Sequence, residues 1–348
     1  MITLKQGDLL KAKAEALVNT VNCVGVMGKG VALQFKKAFP ENCRAYEKAC
    51  KAELIQPGKM FVFDAGNLMQ THFIINFPTK RHWKGKSRME DVESGLAALV
   101  EEVGRLKIKS IAIPPLGCGN GGLDWNQVRP RIERAFAALP DVEVQIFEPS
   151  GAPAVEQMVN RTEKPHLTVA RALFIKLLDL YKIADYRLSR LEIQKLAYFL
   201  QEAGEPLKLN FAADKYGPYA DNLNHVLSRL DGHFIQGFGD NTGKAEEASI
   251  SLVSGAVSEA EFFLNSSDCE QSRTRLNKIA NLIEGFETPY GMELLATVHW
   301  VSTHVENPPA SEEEAVKLVH KWSSRKAELF TPRHIQVSYQ RLQECGWL

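Results

Sequence analysis

Residues suited to chemistry gather in the first half of the chain. Asp8, in GDLL (7–10), is a carboxylate at the end of an extended run. Asn19 and Asn22 offer amides within NTVNCVGVMGKGVA (19–32), which also holds Gly28, Lys29 and Gly30. A second glycine-rich stretch, PPLGCGNGG (114–122), contains Gly117, Cys118, Gly119, Asn120 and Gly121. Lys80 closes THFIINFPTK (71–80). A glycine-rich turn that runs from a strand into a helix exposes backbone N–H groups at the helix N-terminus, a cradle for an anion. A nucleotide needs an acceptor for its exocyclic amine, N–H-rich loops for its phosphates and amides for its ribose hydroxyls, and these residues supply all three. Each type also has a plainer use. Aspartate caps helices, glycines make tight turns, and asparagines satisfy buried backbone. The order and spacing favour the joint reading. GVMGKG is not a dinucleotide fingerprint, because it lacks the GxGxxG spacing, and it is not a P-loop, because Lys29 is followed by Gly30.

Such residues converge only if the elements between them alternate. Residues 1–148 do. ITLKQGDLL reads as a strand ending at Asp8, EALVNTVN as a buried strand, and Val31–Phe39 and Glu41–Leu54 as helices parted by Pro40. GKMFVFDAG and THFIINFPTK have strand composition. Val92, Leu96, Leu99, Val100 and Val103 make a helical stripe over 89–106. SIAI is a short buried strand, Trp125–Leu139 a helix and VEVQIFEP a closing strand. The expected fold is α/β, with a mixed, largely parallel sheet covered by helices on both faces. In such sheets ligands sit beyond the carboxyl ends of the strands. Asp8, both glycine loops and Lys80 all follow directly on strands.

The 348 residues suit two domains. We assign 1–150 to the α/β domain, 151–165 to a linker, with three prolines over 149–165, and 166–348 to a mainly α-helical domain. In the latter, helices are expected at Thr168–Ile183, after Ser189 (a capping box with Glu192), and at Glu259–Leu264, Arg273–Phe286, Gly291–His304, Ser311–Leu329 and Pro332–Glu344. Residues 232–258 read as an irregular loop or small hairpin. The 45% hydrophobic and 24% charged composition is that of a globular protein. No apolar run approaches a membrane span, and MITLKQGD does not read as a secretory signal. Six cysteines without a CxxC pair argue for reduced thiols and a cytoplasmic location. Histidines 225, 233, 299, 304 and 320 are too dispersed in sequence for a metal site, so none is expected. The net charge is zero but divided: residues 1–155 hold 21 Lys and Arg against 16 Asp and Glu, and 156–348 hold 21 against 26. Two solvated surfaces would explain this, as would a first half that meets a polyanion.

GDLL, NTVNCVGVMGKGVA and PPLGCGNGG resemble, in order and context, the three signature segments of the macrodomain family, which binds ADP-ribose. The resemblance covers about residues 1–150. It is closest to the branch that hydrolyses ADP-ribosyl esters and DNA adducts, and within it to antitoxins that remove ADP-ribose from thymine in single-stranded DNA. It implies an ADP-ribose site formed by Asp8, Leu9, Asn19, Asn22, Gly28, Lys29, Gly30, Val31, Ala32, Gly117, Cys118, Gly119, Asn120, Gly121 and Phe147. In that site Asp8 would hold the adenine amine, Asn22 the distal ribose, and the glycine loops the two sides of the diphosphate, with Phe147 near the adenine. ADP-ribose is then ligand and product, and no cofactor is implied. Lys80 matches the lysine associated with catalysis in this branch. Related enzymes carry an acidic residue soon after GCG; here Asn120, Gly121 and Gly122 follow, with Asp124 further on, which shifts the weight to Lys80.

Cleaving an N-glycosidic bond through an oxocarbenium-like state requires charge stabilisation and help for the leaving base. Lys80 could donate a proton or attack the anomeric carbon, with Arg81 and Lys84 depressing its pKa. The segment TKRHWKGKSR (79–88) adds Arg81, His82, Trp83, Lys84, Lys86 and Arg88. Cations interleaved with an aromatic platform suit single-stranded DNA; the plainer reading is a solvated charged loop. In the second half, LEIQKLAYFLQEAG (191–204) and FAADKYGPYADNLNHVL (211–227) resemble the SocA-like, or Panacea, antitoxin domain. That implies a partner, a DarT-type DNA ADP-ribosyltransferase toxin, beside ADP-ribosylated single-stranded DNA and no membrane. Two other functions fit the residues less fully: a non-catalytic ADP-ribose reader, which has no need of Lys80, and a hydrolase of ADP-ribosylated protein or metabolite esters.

Overall fold

The computed structural model describes all residues except 69–70, 150–157, 182–187, 240–249 and 267–268. The chain divides into two units, Met1–Glu163 and Lys164–Leu348. Part of the expected linker, 151–157, lies outside the described residues. Its later part belongs to the first unit: Val159 packs among Leu9, Phe35 and Phe39, and the Arg161 N–H donates to the Lys37 carbonyl at 2.8 Å. Among the described residues no helix is long and apolar enough to cross a membrane.

The first unit runs β1 (Ile2–Lys5), a 3-10 turn (Leu9–Lys11), β2 (Ala16–Asn22), α1 (Gly30–Ala38), α2 (Pro40–Lys51), β3 (Phe61–Leu68), β4 (Thr71–Lys80), α3 (Met89–Arg105), β5 (Ser110–Ile113), α4 (Trp125–Phe136) and β6 (Glu143–Phe147). The six strands form one sheet in the order β1-β6-β5-β2-β4-β3. Every pair is parallel except β3 with β4. The short β3–β4 connection forces that exception, since a parallel pair needs a long crossover. β3 also carries a register shift between Asp64 and Leu68, where the Gly66 N–H donates to Asp64 Oδ1 at 2.9 Å. The strand expected to end at Asp8 stops at Lys5, and Asp8 instead caps the 3-10 turn.

Strand alternation distributes β2 between two cores. Ala16 and Val18 face α3 and α4, where Val92, Leu96, Leu99, Val128, Ile132 and Phe136 meet Ile75, Phe77, Ile111 and Ile113. Leu17 faces the opposite layer with Ile74, Ala112 and Phe35, and Val21 packs against Tyr46 of α2. Both faces of the sheet are therefore covered by helices, as expected.

The second unit is mainly helical: α5 (Val169–Leu180), α6 (Arg190–Glu202), β7 (Ala212–Asp214), β8 (Gly217–Tyr219), α7 (Leu223–Leu230), β9 (Ile235–Gln236), β10 (Ser251–Leu252), α8 (Ala256–Asn265), α9 (Glu270–Ile283), α10 (Pro289–Thr303), α11 (Glu312–Trp322), α12 (Ser324–Leu329) and α13 (Pro332–Glu344). The Ser189–Glu192 capping box forms, and Tyr181 adds a hydrogen bond to Glu192 at 2.7 Å. β9 and β10 pair as a small hairpin. The single helix expected over 311–329 is two, because Ser323 is extended and its hydroxyl caps Lys326. His299 and His304, expected to lie apart, meet Glu202 where α6 and α10 end.

The YGPY segment forms the β7–β8 hairpin over a buried ionic cluster. Gly217 has φ +88°, and a Cβ there would lie 2.8 Å from Thr297 Oγ1. Lys195 donates to the Pro218 carbonyl at 2.6 Å. Lys326 donates to Glu293 at 2.9 Å and Thr297 at 3.0 Å, and Arg325 pairs with Glu293 at 2.6 Å. Burial and then the Lys326 charge bring the Lys195 pKa down to about 7. An unfolded lysine keeps its proton to about pH 10.4. The unfolded chain therefore binds more protons between about pH 7 and pH 10, and stability from this group rises with pH across that window. The stability difference between wild type and Lys195→Met, read from urea midpoints, should move in favour of the wild type from pH 7 to pH 9.5; a pH-independent difference would contradict the assignment.

Candidate active site

Because β1, β6, β5, β2 and β4 run parallel, their carboxyl ends share one edge of the sheet. Asp8, the loop 23–29, the segment 81–88 and the loop 114–123 all leave from that edge. Asn22 and Lys80 are lateral neighbours where β2 and β4 end.

The first loop is built on Asn22. Its Oδ1 accepts from the N–H groups of Val24 (3.0 Å) and Val26 (3.3 Å), and its Nδ2 donates to the Val26 carbonyl at 2.6 Å. Tyr46, fully buried on α2, donates its hydroxyl to the Asn22 carbonyl and lies 3.2 Å from Oδ1. The side chain expected to bind a ribose thus holds the loop's shape. Gly30 has φ +59° and opens α1, whose N-cap residue, Lys29, makes no side-chain cap. The first N–H groups of α1, around Val31 and Ala32, are therefore left without a side-chain acceptor from the cap.

The second loop is held by close approach. A Cβ on Gly121 would fall 2.2 Å from both the Gly117 carbonyl oxygen and Ser87 Oγ. Gly117 has φ +70°, and Leu123 donates its N–H to the Gly117 carbonyl at 3.0 Å. Ser87 donates its N–H to the Gly121 carbonyl at 3.0 Å, tying the basic segment to this loop. The two loops face each other, since a Cβ on Gly30 would lie 3.3 Å from Asn120 Nδ2. Lys80 donates its Nζ to the Asn120 carbonyl. The structure thus brings Lys80, Gly30 and Asn120 to one place.

The lysine's pKa is lowered, and the cause is burial. Arg81, expected to depress it, is instead turned to α3, where it pairs with the buried Asp91 at 3.1 Å. Asp124 accepts from the Asn126 N–H at 2.9 Å as the cap of α4. Burial, followed by Asp124, pushes the Cys118 thiol up to about 11, so it is protonated at neutral pH and offers no nucleophile.

One expected contact does not face this edge. Asn19 is fully buried three residues short of the strand end. Alternation turns it to the α1–α2 layer, where its Nδ2 donates to Asn76 Oδ1 at 2.9 Å and Asn76 in turn donates to Asn42 at 2.7 Å. Phe147 is 6% exposed and packs in the cluster of Leu9 and Leu10. Asp8 is mostly covered, with its carboxylate accepting the Leu10 N–H at 2.9 Å. Tyr46, Asn76, Asn42 and Ser87 were not singled out from the sequence. Asn76 lies within THFIINFPTK and Ser87 within TKRHWKGKSR.

Beyond Arg81 the segment is open. Trp83 is 49% exposed, stacked on His82 with ring centroids 5.5 Å apart, and Lys84 lies over its ring at 4.9 Å. Lys86 and Arg88 are exposed.

Residues 18–132 match the Macro domain family. The "DNA ADP-ribosyl glycohydrolase" of Thermus aquaticus is 51% identical over 100% of this chain and 94% of its own length. The protein of that name in Mycobacterium tuberculosis is 42% identical over 98% of this chain and 99% of its own. The "Macrodomain of Mycobacterium tuberculosis DarG" shares 57% identity over 43% of this chain and 99% of that one, with a TM-score of 0.43. Identity at this level over nearly the whole of both chains shows that this protein belongs to the DNA ADP-ribosyl glycohydrolase, or DarG, family.

Proposed function

We propose that the chain hydrolyses the N-glycosidic bond between ADP-ribose and thymine in single-stranded DNA, reversing the modification made by a DarT-type toxin. The observation that carries the site reading is the Lys80 ammonium on the Asn120 carbonyl, between two facing glycine loops. The loops' N–H groups suit the diphosphate, and Asp8, at the same edge, suits the adenine amine. This leaves the anomeric carbon at the Lys80 end of the cleft. As the glycosidic bond breaks, its electron pair passes to the thymine, which leaves with a proton; water adds to the anomeric carbon and gives up a proton that restores the donor. Lys80 is the donor for that proton, and its charge stabilises the base as negative charge develops on it. The lowered pKa matches a proton donor working near neutral pH better than an ordinary lysine would. Asn22, Tyr46 and Ser87 act by holding the loops.

Trp83, Lys84, Lys86 and Arg88 would receive the DNA strand next to the modified base, through stacking and phosphate attraction. The second unit we read as a SocA-like domain that binds and neutralises the toxin. Its excess of acid would complement a surface made to hold DNA. A reader without turnover is disfavoured by the placement of Lys80, and a protein-directed hydrolase by the exposed Trp83 platform.

Lys80→Ala should keep ADP-ribose binding, measured by calorimetry, and lose at least about a hundredfold in turnover on thymine-modified single-stranded DNA. Full turnover in this variant would remove Lys80 from the mechanism. For the wild type, kcat should fall on the alkaline side, through a pKa below that of an ordinary lysine; a fall on the acid side would indicate a neutral nucleophile instead. Trp83→Ala should weaken turnover on modified DNA while free ADP-ribose still binds, and equal loss of both would argue against a DNA platform. The hydrolysis-deficient Lys80→Ala chain should still inhibit the toxin in a DNA-modification assay, and single-stranded DNA in excess should relieve that inhibition.

A further inference from the structure

We propose that Glu202, His299 and His304 form a divalent-cation site in the second unit, with a donor set suited to Zn2+. One ligand atom from each lies within 4.8 Å of the others. They come from two helices: Glu202 ends α6, His299 lies in the last turns of α10, and His304 is its C-cap. His304 Nε2 is 3.4 Å from Glu202 Oε1.

The surroundings resemble those of a built metal site in three respects. First, each imidazole has one ring nitrogen engaged by a hydroxyl. Tyr198 Oη lies 2.7 Å from His299 Nδ1, and Thr303 Oγ1 lies 2.8 Å from His304 Nδ1. Metal-binding histidines are oriented in this way, with the second nitrogen left for the ion. Second, the rings are fixed by packing. His304 stacks on Trp300 with centroids 4.2 Å apart and planes 10° off parallel, and Trp347 meets His299 edge-on at 5.7 Å. Third, the site grades from a buried His299 to an exposed His304, which gives an ion a way in.

The charges agree. Glu202 brings one carboxylate to two imidazoles. The opposing cation nearby, Lys278, is turned to the Gly346 carbonyl at 3.0 Å and lies over the Trp347 ring at 4.8 Å. Two imidazoles and a carboxylate with a fourth position for water are a known Zn2+ donor set. Bond lengths of about 2.0–2.1 Å place tetrahedral ligands roughly 3.4 Å apart; Glu202 and His304 already stand at that spacing, and binding would draw the pair towards His299. The bound ion would staple the carboxyl ends of α6 and α10 together.

The test uses the full chain after chelator treatment, titrated with Zn2+ by calorimetry and followed by thermal unfolding. One equivalent should bind and raise the unfolding midpoint. His304→Ala and Glu202→Gln, both at the open end of the site, should each weaken Zn2+ binding at least about tenfold, the scale of losing even a supporting partner, and should abolish the midpoint shift. Co2+ in place of Zn2+ should give the visible bands of nitrogen and oxygen ligands. Failure to bind, binding that neither substitution affects, or thiolate-to-Co2+ charge-transfer bands reporting a cysteine site would each overturn the proposal.

Discussion

A partly buried lysine ammonium needs an acceptor, and for Lys80 in the first unit that acceptor is a backbone carbonyl in the loop after β5, which β2 separates from the lysine's own strand. Lys80 meets Asn120 only because the second loop folds tightly enough to turn its carbonyl inward. That turn depends on Gly117 in the left-handed region and on Gly121 packed where no Cβ fits. Ser87 then fastens the basic segment to the same loop. One polar contact therefore links the strand that supplies the cation, the loop that faces Gly30 and the segment that carries Trp83. Desolvation, which lowers the lysine's proton affinity, comes from the same closure, so position and acidity have a common origin.

Much of this arrangement was legible in the sequence, and the exceptions have physical reasons. Strands, helices and glycine loops followed from periodicity and punctuation, and parallel strands necessarily deliver their loops to one edge. Asn19 shows the limit. Its residue type suits a ligand contact, but the period of two puts it on the layer of Leu17 and Val21, where amide partners on β4 and α2 await it. Asn22 lies three residues later and makes the loop itself. Arg81 pairs with Asp91, ten residues away on the next helix, and no local pattern announces that. The division of 311–329 hinges on Ser323 taking an extended conformation, although the segment's helix propensity is continuous.

The second unit has a different interior. Lys195, Lys326 and Glu293 are buried under the β7–β8 hairpin, with Arg325 closing the pair from the rim. Charges are expensive to bury and costly to leave unpaired. Here the hairpin carbonyl of Pro218 and the Thr297 hydroxyl complete what the carboxylate alone cannot. This gives the YGPY segment a structural meaning: Gly217 lets the hairpin backbone come down onto Thr297, and Pro218 follows with its carbonyl aimed at Lys195.

The two ends of the sheet have one more property. β1 and β3 each have a neighbour on one side only, and a free strand edge is a template for another chain. β1 offers just four residues and stops at a lysine. β3 is longer, but its register breaks after Asp64, and that carboxylate takes the Gly66 N–H for itself. A short edge on one flank and a bulged, self-capped edge on the other leave little straight backbone for intermolecular pairing. A sheet so bounded can present a glycine-rich, N–H-lined rim to solvent without recruiting a second copy of itself.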